Sequence, residues 1–415
     1  MVAFYLHIAL CYGIIKEKHT ERCIIMKDFI YDIGTEIYFG KGAVNNLGAA
    51  VKKHSAKVLL CYGGGSIKKL GIYDAVVNQL KANNIEWQEL SGIEPNPRVT
   101  SVREGVRLCR EHGLTAVLAV GGGSTIDCAK AVAAAVSYDG DPWDLVAKKA
   151  DIVSVLPVFS VLTLSATGSE MDPTAVISNM DTNDKLGIGH PSMLPRASVL
   201  DPTYTYTTNK HQTAAGTADI MSHTLENYFS KADDFYLLDG MAEAMLKTCI
   251  KYGPIALEDP ENYEARANLM WTSSLAINGS VRWGKADAWS VHSMEHQLSA
   301  YYDITHGDGL AILTPAWMKH ILSENTLDRF VKYGVNVWGI DASLDKWEIA
   351  KKSIEMTQDF FVNALGIPAT LYEVGIDESQ LEVMAEKAST PMLQKDAYVP
   401  LFPEDVLAIY KLCLK

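Results

Sequence analysis

Asp219 with His223, His292 with His296, and His306 in the run Thr305-His306-Gly307-Asp308-Gly309 are the residues whose types and spacing could do chemistry. A separation of four residues places both members of a pair on one face of a helix, one turn apart. Two helices and a turn could therefore aim a carboxylate and several imidazoles at one point. A lone histidine is ordinarily a hydrogen-bonded structural group. Five polar groups in two clusters, with apolar sequence between them, are costly to bury without a shared purpose, and holding a divalent metal is the purpose that fits. None of the seven cysteines (Cys11, Cys23, Cys61, Cys109, Cys128, Cys249, Cys413) is near these clusters in sequence. The metal is accordingly expected to see only nitrogen and oxygen.

A second chemistry lies in two glycine turns. Apolar strands are expected at Lys57 to Cys61 and Ala116 to Val120, each running into Gly-Gly-Gly-Ser and then into a helical stretch. At Gly121-Gly122-Gly123-Ser124 a ligand can approach bare backbone, and the helix that follows offers free N–H groups and its positive end, a setting that suits a pyrophosphate. Glycine also serves turn geometry alone, and Asp127 can simply complement the helix start. The other turn, Gly63-Gly64-Gly65-Ser66 with Lys68 and Lys69 behind it, has no carboxylate directly after its strand to take a ribose hydroxyl and repel a 2′-phosphate. Its serine and lysines would welcome that phosphate, so NADP(H) is expected in preference to NAD(H).

Elements must be found to position these groups. The chain has 415 residues, 48% of them hydrophobic, which exceeds the size of an ordinary single core, and two domains are expected. Strand, glycine turn and helix alternate through the first half, with Val158 to Leu164 as a further buried strand, so a mostly parallel, Rossmann-like sheet is expected. From Asn209 onward 3.6-residue periodicity takes over. The expected organisation is an N-terminal extension at 1–25, a dinucleotide-binding α/β domain at 26–208, and an all-α metal-binding, catalytic domain at 209–415. The apolar run at 3–15 is too short to span a bilayer, and no positive residue precedes it, so Met26 is read as the natural start. A net charge of −13 without any long Lys/Arg run excludes a nucleic-acid surface, and no membrane partner is expected. Scattered cysteines without a framework point to a reducing compartment, the cytoplasm. Phe29 to Phe39 reads as one or two strands at a sheet edge, which pairing with a second copy would cover, giving a homodimer.

The order of motifs resembles the iron-dependent (group III) alcohol dehydrogenases, and among them the butanol dehydrogenase and NADPH-dependent aldehyde reductase branch, from Met26 onward. It is carried by Thr35 with Phe39-Gly40-Lys41-Gly42, Pro95-Asn96-Pro97, Gly121 to Ser124 with Asp127 and Lys130, and Thr163-Leu164-Ser165-Ala166-Thr167-Gly168-Ser169-Glu170. Gly216 to His223, the stretch from His292 to Pro315, Leu365-Gly366-Ile367-Pro368 and Gly375-Ile376 complete it. The resemblance implies Asp219, His223, His292 and His306 as ligands of one divalent ion, Fe2+ by family, with Zn2+ or Mn2+ as the other ions such a site takes. It implies His296 as a non-ligand histidine beside the substrate, the candidate proton relay. It also implies a cofactor lying along both glycine turns, Asn96 and Asp127, with its ring near Thr163, Leu164 and Ser169. Spacing alone does not choose between His296 and its neighbours as ligand.

The expected reaction is hydride transfer between a primary alcohol or aldehyde and NADP(H), in the direction of aldehyde reduction. Without a basic cluster between Thr163 and Glu170 or around His296, a small neutral substrate such as butanal is expected rather than a keto acid or sugar phosphate. Trp283 and Trp289 are candidate pocket walls. A glycerol-dehydrogenase-like polyol oxidase using NAD would carry three protein ligands. A dehydroquinate-synthase-like lyase would need more basic residues in its cleft. A non-catalytic homologue should have lost a ligand or a glycine turn.

Overall fold

The computed structural model describes residues 28–231, 235–286 and 288–415. The misplaced-start expectation for residues 1–25 lies outside them. In the first half, strands β1 (Glu36–Phe39), β2 (Lys57–Tyr62), β3 (Glu86–Leu90), β4 (Ala116–Gly121), β5 (Val158–Leu162) and β8 (Ala197–Leu200) form one sheet in the order β1-β8-β5-β4-β2-β3. Every neighbouring pair is parallel. Two-sided burial explains the sequence of its centre: β4 and β5 are buried at every position, as expected for strands covered by helices on both faces. Alternate side chains of β2 feed different cores. Val58, Leu60 and Tyr62 join Leu47 of α1 (Leu47–Lys52) and Val76 of α3 (Ile72–Ala82). Leu59 and Cys61 join Val102 of α4 (Val99–His112) and Val132 of α5 (Gly123–Ala135). The short helix α2 (Ser66–Lys69) follows directly on β2.

β2 and β4 are adjacent, so both glycine turns come to lie side by side at the carboxyl edge of the sheet, where open α/β sheets bind ligands. Of the one or two edge strands expected across Phe29 to Phe39, one is present, over the last four residues. Only Glu36–Phe39 pairs, with β8 on one side, and β1 is an edge strand. An antiparallel hairpin, β6 (Thr174–Asn179) and β7 (Asp184–Gly189), was not foreseen. Its strands are only half-apolar, and β7 carries two glycines, which weakens any strand signal.

After α6 (Pro142–Val146) and β8 the chain becomes helical, beginning with α7 (Lys210–Tyr228), whose start is capped by Asn209 accepting from Gln212 N at 2.8 Å. α8 (Tyr236–Glu258), α9 (Tyr263–Ile277), α10 (Ser290–Tyr302) and α11 (His306–Ile321) pack around it, and further helices continue to α16 (Pro403–Leu412). α7 is buried from Thr213 to Tyr228, so its polar residues lie within the helical core. Among the described residues no helix is long and apolar enough to cross a membrane. Five cysteines, Cys61, Cys109, Cys128, Cys249 and Cys413, are free and buried.

Close helix approach depends on Gly307. A Cβ there would sit 2.1 Å from the Ala215 carbonyl oxygen of α7, a contact with rigid backbone that cannot give way. Gly307→Ala is therefore expected to cost about 2 kcal/mol or more through overpacking. The expected readout is a melting transition lowered by at least ~2 °C; an unchanged transition would show that α7 and α11 can separate freely.

Candidate active site

Three helices supply the polar cluster. α7 carries Asp219, His223 and Glu226, α10 carries His292, Glu295 and His296, and α11 begins with His306. Offsets of four and seven on α7, and of three and four on α10, keep each set on one helix face. The faces meet at Asp219 Oδ1, which lies 3.4 Å from His223 Nδ1, 3.7 Å from His292 Nε2 and 3.9 Å from His306 Nε2. Asp219, His292 and His306 each offer one donor atom within 4.8 Å of the others, as do Glu295, His296 and His306. His223 stacks on His292 with ring centroids 4.5 Å apart.

Those separations exceed hydrogen-bond length. Asp219 Oδ1, His223 Nδ1 and His292 Nε2 are buried without a hydrogen-bond partner. Burying three such atoms costs several kcal/mol in order of magnitude, unless something satisfies them together. One carboxylate oxygen and imidazole nitrogens, with no thiolate among them, form a donor set that suits a divalent cation. The sequence reading missed what lies behind the imidazoles: His292 Nδ1 pairs with Glu226 Oε2 and His306 Nδ1 with Glu295 Oε2. Carboxylates in that position orient a ring and fix its tautomer. The signal existed in the sequence, since Glu226 lies seven residues after Asp219 and Glu295 three after His292.

Electrostatics follow the same geometry. Burial works against charge on Asp219, but His223, His292 and His306 outweigh it and hold the carboxyl well below its usual range. Burial pushes His223 down to about 3. For His292 burial also opposes charge, yet Glu226 and Asp219 prevail and raise it to about 10. Burial, then Lys185, holds His296 well below the usual imidazole range.

Lys185 is the other residue the sequence left unnoticed. It projects from β7, is 5% exposed, and places Nζ 3.3 Å from Glu295 Oε2 and 3.4 Å from His306 Nδ1. The site thus contains a cation where the sequence showed no basic cluster, although Glu295 matches its charge. Of the two tryptophans, Trp289 meets His223 and His292 edge-on at 5.7 and 5.3 Å. Trp283 packs instead against Phe29 and Tyr31.

A cavity of about 410 Å³ opens at the carboxyl edge of the sheet, lined by Ser66 and Lys69 of one turn, Gly122 of the other, Thr163 and Leu164, and closed by Tyr204 and Gln212. Its size is ordinary for a small-molecule site. Gly64 and Gly65 face open space, and Gly65 has φ +92°. Helix α5 begins at the cavity with Gly122 as its cap residue and no side-chain cap, leaving first-turn N–H groups for a ligand. Gly121 and Gly123 are small for an internal reason as well, since Cβ atoms there would strike Thr125 and Thr167.

Other expected cofactor residues are engaged within the protein. Asn96 donates to Asp303 Oδ1 at 2.9 Å and to the Ile304 carbonyl. Asp127 accepts from Ser169 Oγ at 2.5 Å and from Val176 N at 2.9 Å, while Ser169 also receives Lys130 Nζ at 2.7 Å. Asn96, Asp127 and Ser169 thus hold together the loops around the cavity. Lys68 is absent from the cavity lining.

Comparison with known proteins agrees with this arrangement. The profile of iron-containing alcohol dehydrogenases matches residues 34–202, and that of the Fe-containing alcohol dehydrogenase family, C-terminal, matches residues 213–414. The chain is 58% identical over 387 residues to NADH-dependent butanol dehydrogenase A of Clostridium acetobutylicum, covering 93% of this chain and 99% of the relative. It is 40% identical over 366 residues to the NADPH-dependent aldehyde reductase YqhD of Escherichia coli, covering 87% and 93%. The crystal structure of NADH-dependent butanol dehydrogenase A from Thermotoga maritima superposes with a TM-score of 0.89 at 39% identity, over 94% of this chain and 99% of that one. The chain belongs to the iron-containing alcohol dehydrogenase family and is an alcohol/aldehyde oxidoreductase with the family's nicotinamide cofactor and iron-type metal.

Proposed function

We propose that this protein interconverts short- to medium-chain primary alcohols and aldehydes, butanal among them, and works chiefly as an aldehyde reductase. The observation that carries the reading is the convergence of three partnerless buried donor atoms on one point between α7, α10 and α11. The names of relatives at 58% and 40% identity, a butanol dehydrogenase and an aldehyde reductase, support the substrate class. Pairing of Lys185 with Glu295 leaves no surplus cation in that contact to attract a carboxylated or phosphorylated substrate. The boundary between the α/β and helical domains is placed at 208/209, and the compartment is the cytoplasm, in keeping with buried free cysteines.

In this reading Asp219, His223, His292 and His306 hold the metal, while Glu226 and Glu295 orient two of the rings. The Gly121–Ser124 turn and the start of α5 receive the pyrophosphate, and Thr163 and Leu164 support the nicotinamide end. When bound, the metal supplies Lewis acidity and the nicotinamide supplies or accepts hydride. Trp289, edge-on to two ligand rings, excludes water from one side. His296, 5.8 Å from His306 between ring centroids, takes or returns the hydroxyl proton. Cofactor choice follows charge: the Gly63–Ser66 turn has no carboxylate and Lys69 lines the cavity, favouring NADPH, but Lys68 is paired with Glu89. The preference for NADPH is accordingly modest. The homodimer forms along β1, an edge strand beside exposed Phe29, Ile30 and Tyr31.

Metal analysis of anaerobically purified variants tests the ligand set. Asp219→Ala should lose both metal and turnover, and Glu226→Gln should weaken metal affinity by roughly 10- to 100-fold. His296→Ala should keep its metal while kcat falls by about 100-fold; stoichiometric metal with full activity in Asp219→Ala would refute the site. Initial rates should give kcat/KM higher for NADPH than NADH by less than about tenfold, with turnover of C2 to C8 aldehydes. A reversed order, or reduction of a phosphorylated carbonyl only, would overturn this part. Sedimentation at micromolar concentration should give a dimer, and a clean monomer would rule out the β1 interface.

A further inference from the structure

The two lysines behind the Gly63–Ser66 turn have different surroundings. Lys69 lines the cavity. Lys68 reaches instead to β3, where its Nζ lies 3.5 Å from Glu89 Oε2 and over the rings of Tyr62 and Tyr73, 4.9 and 4.6 Å from their centroids. Glu89 is itself fixed: Oε2 accepts the Tyr62 hydroxyl at 2.5 Å and Oε1 accepts the hydroxyl of Tyr73. Tyr62 ends β2, directly before the glycine turn, and Tyr73 stands in the first turn of α3, directly after α2. One carboxylate thus ties down both flanks of the turn and the lysine between them. Burial works against the charge on Glu89, but both tyrosine hydroxyls and then Lys68 outweigh it, and its carboxyl lies below the usual range.

A dinucleotide site discriminates against a 2′-phosphate with a carboxylate at the end of the strand beside the pyrophosphate-binding one. Here β2, that strand, supplies none, and the carboxylate that reaches Lys68 comes from β3, the next strand out. Its effect is exerted on the lysine that would otherwise face the phosphate. We propose that Glu89 sets how strongly this enzyme accepts the 2′-phosphate of its cofactor, by neutralising Lys68 and holding it on the Tyr62–Tyr73 pair. Glu89 is a positioning residue in this role and touches neither cofactor nor substrate. The inference rests on the reading above that the cavity takes a dinucleotide with its adenosine end at the Gly63–Ser66 turn.

Charge bookkeeping makes the inference testable. The Lys68–Glu89 pair is neutral and Glu89→Gln leaves the Lys68 charge unopposed, whereas once Lys68 is gone a change at Glu89 has no lysine to act through. Both side chains are partly exposed, 48% and 33%, so solvent screens the effect to a moderate size. Calorimetric titration of the metal-loaded, full-length protein with adenosine 2′,5′-bisphosphate and with adenosine 5′-phosphate reads the phosphate discrimination without turnover. Glu89→Gln, which retains acceptors for both tyrosines, should raise the preference for the bisphosphate about fivefold, and NADPH over NADH in parallel. Lys68→Gln should leave it at or below the value of the parent protein, and the double variant should match Lys68→Gln within about twofold, the non-additivity a double-mutant cycle reads when one residue acts through the other. Should Glu89→Gln not fold, Glu89→Ser on the same partly exposed edge strand is expected to show the same gain.

A ratio unchanged within twofold in the Glu89 variants overturns the inference while leaving the dinucleotide site intact. A double variant whose ratio stands several-fold above that of Lys68→Gln overturns it too, because Glu89 would then act on the phosphate without Lys68. If the parent protein binds neither adenosine nucleotide and neither NADH nor NADPH, the dinucleotide reading itself falls, and this inference with it.

Discussion

Everything in the helical half is arranged around a group of buried polar atoms that cannot satisfy one another. His223 Nδ1 and His292 Nε2 lie within 4 Å of Asp219 Oδ1 yet none of the three forms a hydrogen bond, an arrangement folding would avoid unless a cation repaid it. The surrounding carboxylates make sense only against that constraint. Glu226 and Glu295 each take the outer nitrogen of an imidazole, so the inner nitrogen of His292 and of His306 is turned toward Asp219. Metal affinity and folding are then coupled, since the same ion that ligates also relieves the cost of burial.

Packing serves the same end. α7 must come close enough to α11 for Asp219 to meet His306, and Gly307 permits it by leaving no side chain against the Ala215 carbonyl. α7 must also approach the loop after β5, and Gly216 lies where a Cβ would be 2.4 Å from the Ser165 carbonyl oxygen. Gly307, next to His306, and Gly216, three residues before Asp219, therefore let α7 lie close to both α11 and the loop after β5. Polar clasps fix the angle. Asn96 and Arg98 of the α/β half grip Asp303, which holds an αL conformation (φ 52°) at the end of α10, three residues before His306. Lys185 brings the β6–β7 hairpin onto Glu295. Hydride transfer requires two reactants held at near-contact distance, and these contacts supply the rigidity.

Several residues of the cofactor motifs are engaged with other parts of the protein. Asp127, Ser169 and Lys130 form a buried chain that pins the segment after β5 to α5, and Asn96 secures the turn before α11. A polar residue in a recognisable motif can be indispensable to a site without meeting its ligand. Likewise, two adjacent lysines count as two charges in the sequence, but only those left unpaired by the fold are available to a ligand.

From the sequence alone, the kind of chemistry and the class of fold could be read. Residue type and helical spacing mark a nitrogen and oxygen metal cluster at Asp219, His223, His292, His296 and His306, and strand–glycine–helix alternation marks a parallel sheet with a ligand at its carboxyl edge. Those signals survive because both are local, depending on residues within two turns or one strand of each other. Contacts between distant segments left no such trace. Glu89 is twenty-one residues from Lys68, Lys185 over a hundred from Glu295, and Trp283 and Trp289, near-neighbours in sequence, point to different places. Which histidine nitrogens converge, which lysine keeps its charge free and which tryptophan lies on the site were decided by tertiary structure, because each depends on partners that only the packing of helices and strands brings within reach.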